Sequence, residues 1–475
     1  MKNKIKNEGQ IFTPAYLVKD MLDFADYRGY DILNKHVMEN GCGDGAFLAE
    51  IVRRYCGVFQ RESLKSELET FIHGIEKDQV EHRKCISRMD AIAKEFGITD
   101  VKWDIICGDS LELSKNYYKK MDFVIGNPPY VRVHNIGEKY HALKRFSFVS
   151  DGMIDEYLAF FEIGLNMLSQ TGKLCLITPS SFLRSKAGQN FRNYIFKHRT
   201  LSAVCDLAHF QPFNATTYTI ISLFDNNRKQ PNKFSYWLYK SPNNMEFIDN
   251  IKFDDAFING KMYLSDKDSL QELRNIELYG NGGISVKNGF ATLADDVFIN
   301  EFDFDEMCIP VIKSSTGKWK KCIFPYKKNG DPLPEFAAMA GGPAWKHLLK
   351  NREILENRSI ENKNEWYLFG RTQALRDVSK NKIAINQLIK DKNSLKVSNV
   401  PAGSGVYGGL YIISNFKIKE MEQALKSDDF MNYVKSLRNY KSGGYYTYSS
   451  SDLEKFLNYY LNERKENELE LVANN

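Results

Sequence analysis

Asn127-Pro128-Pro129-Tyr130 is the stretch of this 475-residue chain whose residue types could do chemistry together. It closes an apolar run, Phe123-Val124-Ile125-Gly126, that predicts a buried strand ending in a turn. Each proline fixes its own φ and lacks an N–H, and Pro129 pushes Pro128 towards an extended conformation, so the loop is stiff. A stiff loop can hold the Asn127 amide and a backbone carbonyl at a fixed angle. Together these can accept hydrogen bonds from an amino group on a planar ring. Tyr130 adds an aromatic face on which such a ring can stack.

Four upstream segments must position that loop. Gly9-Gln10-Ile11-Phe12-Thr13-Pro14 precedes an amphipathic helix over 15–24, with Thr13 placed to cap it and Pro14 suited to its first turn. Val37-Met38-Glu39 predicts a strand running into Asn40-Gly41-Cys42-Gly43-Asp44-Gly45, with a helix from about Ala46. Glycines there allow tight turning and close approach of backbone to a ligand. Their spacing is not the dinucleotide fingerprint. Phe71-Ile72-His73-Gly74-Ile75-Glu76 predicts a second strand ending in an acid that can accept two ribose hydroxyls, while Asp78 can cap the next helix. Ile105 to Leu111 predicts a third strand, and Asp109 at its end can accept from an amino group. Beyond the loop, a helix is expected over 155–168 and strands over 173–179 and 201–207, with 217–224 and 234–239 as a closing pair.

These segments, in this order, resemble those of S-adenosylmethionine-dependent DNA adenine amino-methyltransferases of the gamma class, the group that includes the TaqI enzyme. The resemblance covers residues 9 to about 240. It implies an α/β fold: a class I methyltransferase domain, Rossmann-like with a mostly parallel seven-stranded sheet, over 1–243. A mixed α+β target-recognition domain would follow over 244–475. The implied cofactor is S-adenosyl-L-methionine with no metal. Thr13, Glu39, Gly41, Gly43, Glu76, Lys77, Asp109, Ser110 and Pro129 would hold it, Glu39 facing its cationic end. Asn127, the Pro128 carbonyl and Tyr130 would act on the amino group of a flipped adenine, and an aromatic from the later loop would close on the base. Phe213 is the preferred choice for that aromatic, with Phe210 and Tyr218 close enough to compete. Asn40 departs from the proline or small residue that many members carry after the acid. The implied partner is double-stranded DNA, with a cognate restriction endonuclease and a restriction-modification context, acting as a cytoplasmic bacterial or archaeal monomer. Alternatives of the same chemistry are protein glutamine-amide and RNA adenine methyltransferases. A bifunctional restriction-methylation enzyme is disfavoured, because only eight residues precede the first motif.

Composition is consistent with a water-soluble chain. No apolar run approaches the ~18 residues that span a bilayer, and the basic N-terminus has no apolar stretch behind it, so neither a membrane span nor a signal peptide is expected. The eight cysteines include no Cys-x-x-Cys pair, which argues against a zinc site and a disulfide scaffold. No cysteine follows a proline, so the nucleophile of cytosine ring-carbon methyltransferases is missing. Net charge is only +5, but six lysines and no acid fall between Lys313 and Gly330, with Trp319, Phe324 and Tyr326 interleaved. Lys313, Lys318, Lys320, Lys321, Lys327 and Lys328 are therefore candidates for phosphate contacts. Two helices are expected near the end, over 417–436 and 451–463.

Overall fold

The computed structural model describes residues 12–58, 61–131, 140–149, 154–213, 217–227, 232–280, 282–334, 341–360 and 363–473. Gly9, Gln10 and Ile11 of the first motif lie outside them. The chain divides into two compact units, Met1–Gln271 and Glu272–Asn475.

The first unit is built on a nine-stranded sheet. Its strands are β1 (Val37–Glu39), β2 (Ile72–Glu76), β3 (Asp104–Cys107), β4 (Met121–Gly126), β5 (Leu168–Pro179), β6 (Leu201–Asp206), β7 (Thr219–Asp225), β8 (Lys233–Ser241) and β9 (Asn244–Lys252). The spatial order is β3-β2-β1-β4-β5-β7-β6-β8-β9. β3, β2, β1, β4 and β5 run parallel, and β7 enters antiparallel between β5 and β6. Every strand segment expected from the sequence is present, 234–239 among them as β8, and the sheet gains β9.

Four helices place the site: α1 (Ala15–Phe24), α2 (Ala46–Gly57), α3 (Gln79–Glu95) and α4 (Glu156–Met167). Leu17, Met21 and Leu22 of α1 and Leu48, Ile51 and Val52 of α2 pack with Phe123 and Ile125 of β4 in one core. Val124, between those two, points to the other face, where it lies beside Gly164 of α4. The alternation along β4 is the period of two that a sheet covered on both faces requires.

Three expectations are corrected. The segments over 217–224 and 234–239 do not pair with each other. β7 lies between β5 and β6, and β8 runs parallel to β6 on its far side. The unit does not end at 243, because β9 forms an antiparallel hairpin with β8 and completes the same sheet. The division falls instead within the helix Lys267–Leu278. The single helix over 417–436 is two, Ile418–Leu425 and Asp428–Ser436, because Ser427 accepts the Phe430 N–H and caps a new start.

The second unit is mixed, with two four-stranded sheets, a three-stranded sheet and its own core around Phe290, Phe298, Tyr326, Trp366 and Phe369. Among the described residues no helix is long and apolar enough to cross a membrane.

Gly45 starts α2 with φ at 80°, and a Cβ there would sit 2.7 Å from the Cys85 sulfur and 3.0 Å from its Cα on α3. Gly45→Ala should destabilise the first unit by roughly 2–4 kcal/mol, adding left-handed strain to overpacking. Urea unfolding measures this, and wild-type stability would mean α3 can step aside at little cost.

Candidate active site

The carboxyl ends of β1, β2 and β4 and the turn after β3 open onto one cavity of about 410 Å³. Thr13, Glu39, Gly41, Gly43, Glu76, Lys77, Asp109, Ser110, Asn127 and Pro129 all line it. Every cofactor-holding residue expected from the sequence thus reaches the same space.

The acids are set differently. Glu39, at the end of β1, is 3% exposed, and its Oε2 has no hydrogen-bond partner among the described residues. Burial, reinforced by the nearby Cys85 and Asp44, pushes its carboxyl well above the usual carboxylate range. Glu76 accepts the Gly43 N–H at 2.7 Å through one oxygen and the Asp78 N–H at 2.7 Å through the other. It therefore ties the glycine loop to the end of β2. Burial raises its carboxyl too, and these backbone donors oppose the rise. Asp78 caps α3 through the Val80 and Glu81 N–H groups. Asp109 caps the short helix Ser110–Leu113 by accepting the Leu111 N–H, and its second oxygen meets the Lys77 ammonium at 2.7 Å. Ser110 donates to the Asn40 carbonyl at 2.9 Å, joining the turns after β1 and β3.

Asn127 and Tyr130 stand on the loop after β4. Asn127 Nδ2 donates to Thr13 Oγ1 at 3.1 Å. Thr13 was expected to cap α1, but it does not. Pro14 is the N-cap residue, and the Thr13 hydroxyl serves Asn127 instead. The buried Pro128 fixes the turn. The Tyr130 hydroxyl donates to the Ile177 carbonyl of β5 at 2.9 Å, and burial raises its pKa well above the ordinary value. Phe213 lies 6.5 Å from Tyr130 between ring centres, at 79°, and is only 7% exposed within the core of the first unit. The two rings meet edge to face rather than as parallel jaws. Phe210 packs on Tyr16 and Tyr239, and Tyr218 meets His209 edge-on.

Residues 46–213 match the model of the Eco57I restriction-modification methylase family. The match begins beyond Glu39, Gly41 and Gly43 and takes in Glu76, Asp109, Asn127, Tyr130 and Phe213. The chain is 23% identical to the type II methyltransferase M.BstVI of Geobacillus stearothermophilus, over 77% of this chain and 75% of that protein. It is 22% identical to the type II restriction enzyme and methyltransferase RM.Eco57I of Escherichia coli, over 77% of this chain and 47% of that one. Its fold is similar to that of the type IIL restriction-modification enzyme MmeI, solved in complex with DNA. The TM-score is 0.64 at 14% identity, over 94% of this chain and 64% of that chain. The chain thus spans about half the length of RM.Eco57I and under two thirds of the MmeI chain.

Several residues lining the cavity were not assigned a role from the sequence: Phe12, Asn40, Asp44, Glu156 and Phe160. Glu156 carried a signal, an acid followed by the apolar run Tyr157–Phe161 in the first turns of a helix, and it is buried in the structure. Asn40, the departure noted in the sequence, is 3% exposed and its backbone carbonyl anchors Ser110.

In the second unit the lysine run folds into a hairpin of strands Cys308–Lys313 and Lys318–Ile323, with Lys313 directly opposite Lys318. Lys313, Lys318, Lys327 and Lys328 are exposed and Lys320 half-buried. Lys321 is turned to Asp305 at 2.7 Å and to the Phe302 carbonyl at 3.0 Å. Of the interleaved aromatics, Trp319 is exposed, whereas Phe324 and Tyr326 belong to the core.

Because Glu39 holds its proton more tightly when folded, its contribution to stability is full below its ordinary value of 4.5 and is lost as pH rises through the higher folded value. Glu39→Gln keeps the shape and removes the titration. Without ligand, its melting temperature should exceed that of the wild type at about pH 8, with the gap closing towards about pH 5. Parallel pH profiles would show that Glu39 is ionised where it lies.

Proposed function

We propose that this chain transfers a methyl group from S-adenosylmethionine to the exocyclic amino group of an adenine extruded from duplex DNA. The observation that carries the reading is the convergence of Glu39, the glycine loop, Glu76, Asp109 and Asn127 on one cavity. The residues present fit such a cofactor. Glu39 offers a buried carboxylate oxygen without a partner, suited to a cationic group. A Cβ built at Gly43 meets nothing within 4 Å, so backbone there is open to close approach. Thr13, Glu39, Gly41, Gly43, Glu76, Lys77, Asp109, Ser110 and Pro129 would hold it. When bound, S-adenosylmethionine supplies an electrophilic methyl group.

The chain's own part is alignment. The lone pair of an aromatic amino group is delocalised into its ring. Acceptors at Asn127 and at the Pro128 carbonyl would hold the amino protons and favour a pyramidal, more nucleophilic nitrogen. Their orientation is set before substrate arrives, so little reorganisation is needed. Tyr130 would support the ring with its face, and its bond to Ile177 fixes that face relative to the sheet. Phe213 would close on the base only by turning from its present edge-on position. The target base must leave the stack for any of this to happen. In the second unit Lys313, Lys318 and Lys320 would contact DNA phosphates, with Lys327 and Lys328 further along. The reaction would take place in the cytoplasm, where an endonuclease of the same specificity would complete a restriction-modification system.

Incubation with labelled S-adenosylmethionine and duplex DNA, followed by digestion to nucleosides, should yield N6-methyladenine. Label appearing only on protein or RNA would redirect the assignment. Asn127→Ala should lower transfer by at least about 100-fold, in keeping with loss of a positioned polar group, while binding DNA and S-adenosylmethionine. Wild-type transfer by this variant would remove the loop from the chemistry.

Replacing Lys313 and Lys318 with alanine should flatten the logarithmic salt dependence of DNA binding by about 2 units of slope. Fluorescence anisotropy over a salt series reads this slope directly, and an unchanged value would leave the hairpin as a solvated loop.

A further inference from the structure

We infer that the loop from Arg371 to Arg376, in the second unit, reads base edges in the major groove of duplex DNA through Arg371, Gln373 and Arg376. The inference takes its partner, duplex DNA, from the function proposed above, and names the side chains that would choose the sequence.

A buried ionic cluster holds this loop. Asp377, in the short 3₁₀ helix Leu375–Ser379, is 3% exposed. Its Oδ2 accepts from the Lys287 ammonium and from the Tyr411 hydroxyl, both at 2.8 Å. Its Oδ1 meets the Lys380 ammonium at 2.8 Å. Burial alone would raise this carboxyl, but these donors bring it down to about 2. Lys382 is buried as well, and its ammonium donates to the carbonyls of Asp377 at 2.8 Å and Lys380 at 2.9 Å. Lys287, Tyr411 and Lys382 come from neighbouring strands of one sheet, Ser285–Asn288, Leu410–Ile413 and Lys382–Ile385. Charges taken out of water are costly unless each finds partners. The sheet thus commits polar side chains from three strands to fixing one surface turn. At the other end of the loop, Arg371 and Ala291 exchange backbone hydrogen bonds at 3.0 and 3.4 Å. Ala374, Leu375 and Val378 are packed in the core of the second unit.

The side chains this support carries at the surface are not used by the fold. Arg371, Thr372, Gln373 and Arg376 are exposed. Among the described residues, the side chains of Arg371, Gln373 and Arg376 make no hydrogen bond, ion pair or ring contact. An arginine fork matches guanine O6 and N7, and a glutamine amide matches adenine N6 and N7. Such two-point contacts discriminate only when the backbone beneath them is held, and a fixed loop also lowers the ordering cost of binding. Gly330 brings a basic turn alongside. A Cβ there would lie 2.9 Å from the Arg376 backbone nitrogen, so the turn that carries Lys327 and Lys328 is pressed against the loop. Phosphate contacts from those lysines would set the register in which the loop meets the bases.

The test is selection of duplexes from a random-sequence pool by the full chain, which needs no methyl transfer. The wild type should enrich a defined sequence. Arg371→Lys and Arg376→Lys keep the charge and lose the planar fork, and Gln373→Ala removes the amide. Each variant should relax the preference at one base position by at least about tenfold, equivalent to about 1.4 kcal/mol. Preferences elsewhere, the salt dependence of binding and the melting temperature should stay as in the wild type. Identical sequence preferences in all three variants would overturn the inference. So would a fall of about 1 unit in the salt slope for Arg371→Ala or Arg376→Ala with preferences intact, since that marks a phosphate contact only. A wild-type chain that enriches no sequence overturns it too. Enrichment that relaxes in the variants, from a chain that methylates no adenine, would support the inference and sink the catalytic reading alone.

Discussion

The strand order of the first unit reverses between β1 and β4, and the site depends on that reversal. Chains that wind outward in both directions from a central pair leave a crevice at the carboxyl ends, because their crossover connections depart to opposite faces. Here α2, which follows β1, joins α1 in the core on one face, while α4, which precedes β5, covers the other. Backbone groups at the ends of parallel strands have no further partners in the sheet. The turns that follow must satisfy them, and the residues able to do so are glycines and short polar side chains. Glu76 accepting from Gly43, and Ser110 donating to the Asn40 carbonyl, are that requirement met. The same bonds shape a cavity lined by six acids, Glu39, Asp44, Glu76, Asp78, Asp109 and Glu156, among mostly apolar and small residues.

This arrangement explains which parts of the fold could be read from the chain. The strands that end at the cavity are largely buried or half-buried and appear as short, mostly apolar runs, and each run stops at or just before a polar residue that lines the cavity. Glu39, Glu76, Asp109 and Asn127 are all legible by that rule. Partners beyond the immediate turn were not. Nothing local to 217–224 says that β7 will insert between β5 and β6, because antiparallel insertion is decided by which edge is open after the rest has assembled. Nothing local to 244–252 distinguishes a hairpin arm from the start of another unit. The bond from Asn127 to Thr13 joins two residues that each had a plausible local role. Capping was the nearer assignment for the threonine, and the long-range one prevailed.

The second unit shows the limit in another form. An alternation of lysine and aromatic residues reads the same whether the aromatics face outward or inward. Trp319 faces out beside its lysines, while Phe324 and Tyr326, just past the end of the hairpin strand, turn into the core. The Tyr326 hydroxyl accepts the Phe369 N–H at 2.6 Å, so even its polar end is used internally. Composition identified the basic hairpin. It could not divide that stretch between surface and interior, since the division is made by where the strand stops.

Each unit encloses its own set of apolar residues, and no side chain belongs to both sets. Substitutions at distant sites with no shared partners have nearly additive effects on stability. An exchange of the part after Gln271 would leave the apolar cluster of the first unit, the cavity-lining residues and the Asn127 loop with their own residues intact. Recombination near the helix Lys267–Leu278 would carry one intact interior to a new neighbour, and selection could then act on the two halves at different rates.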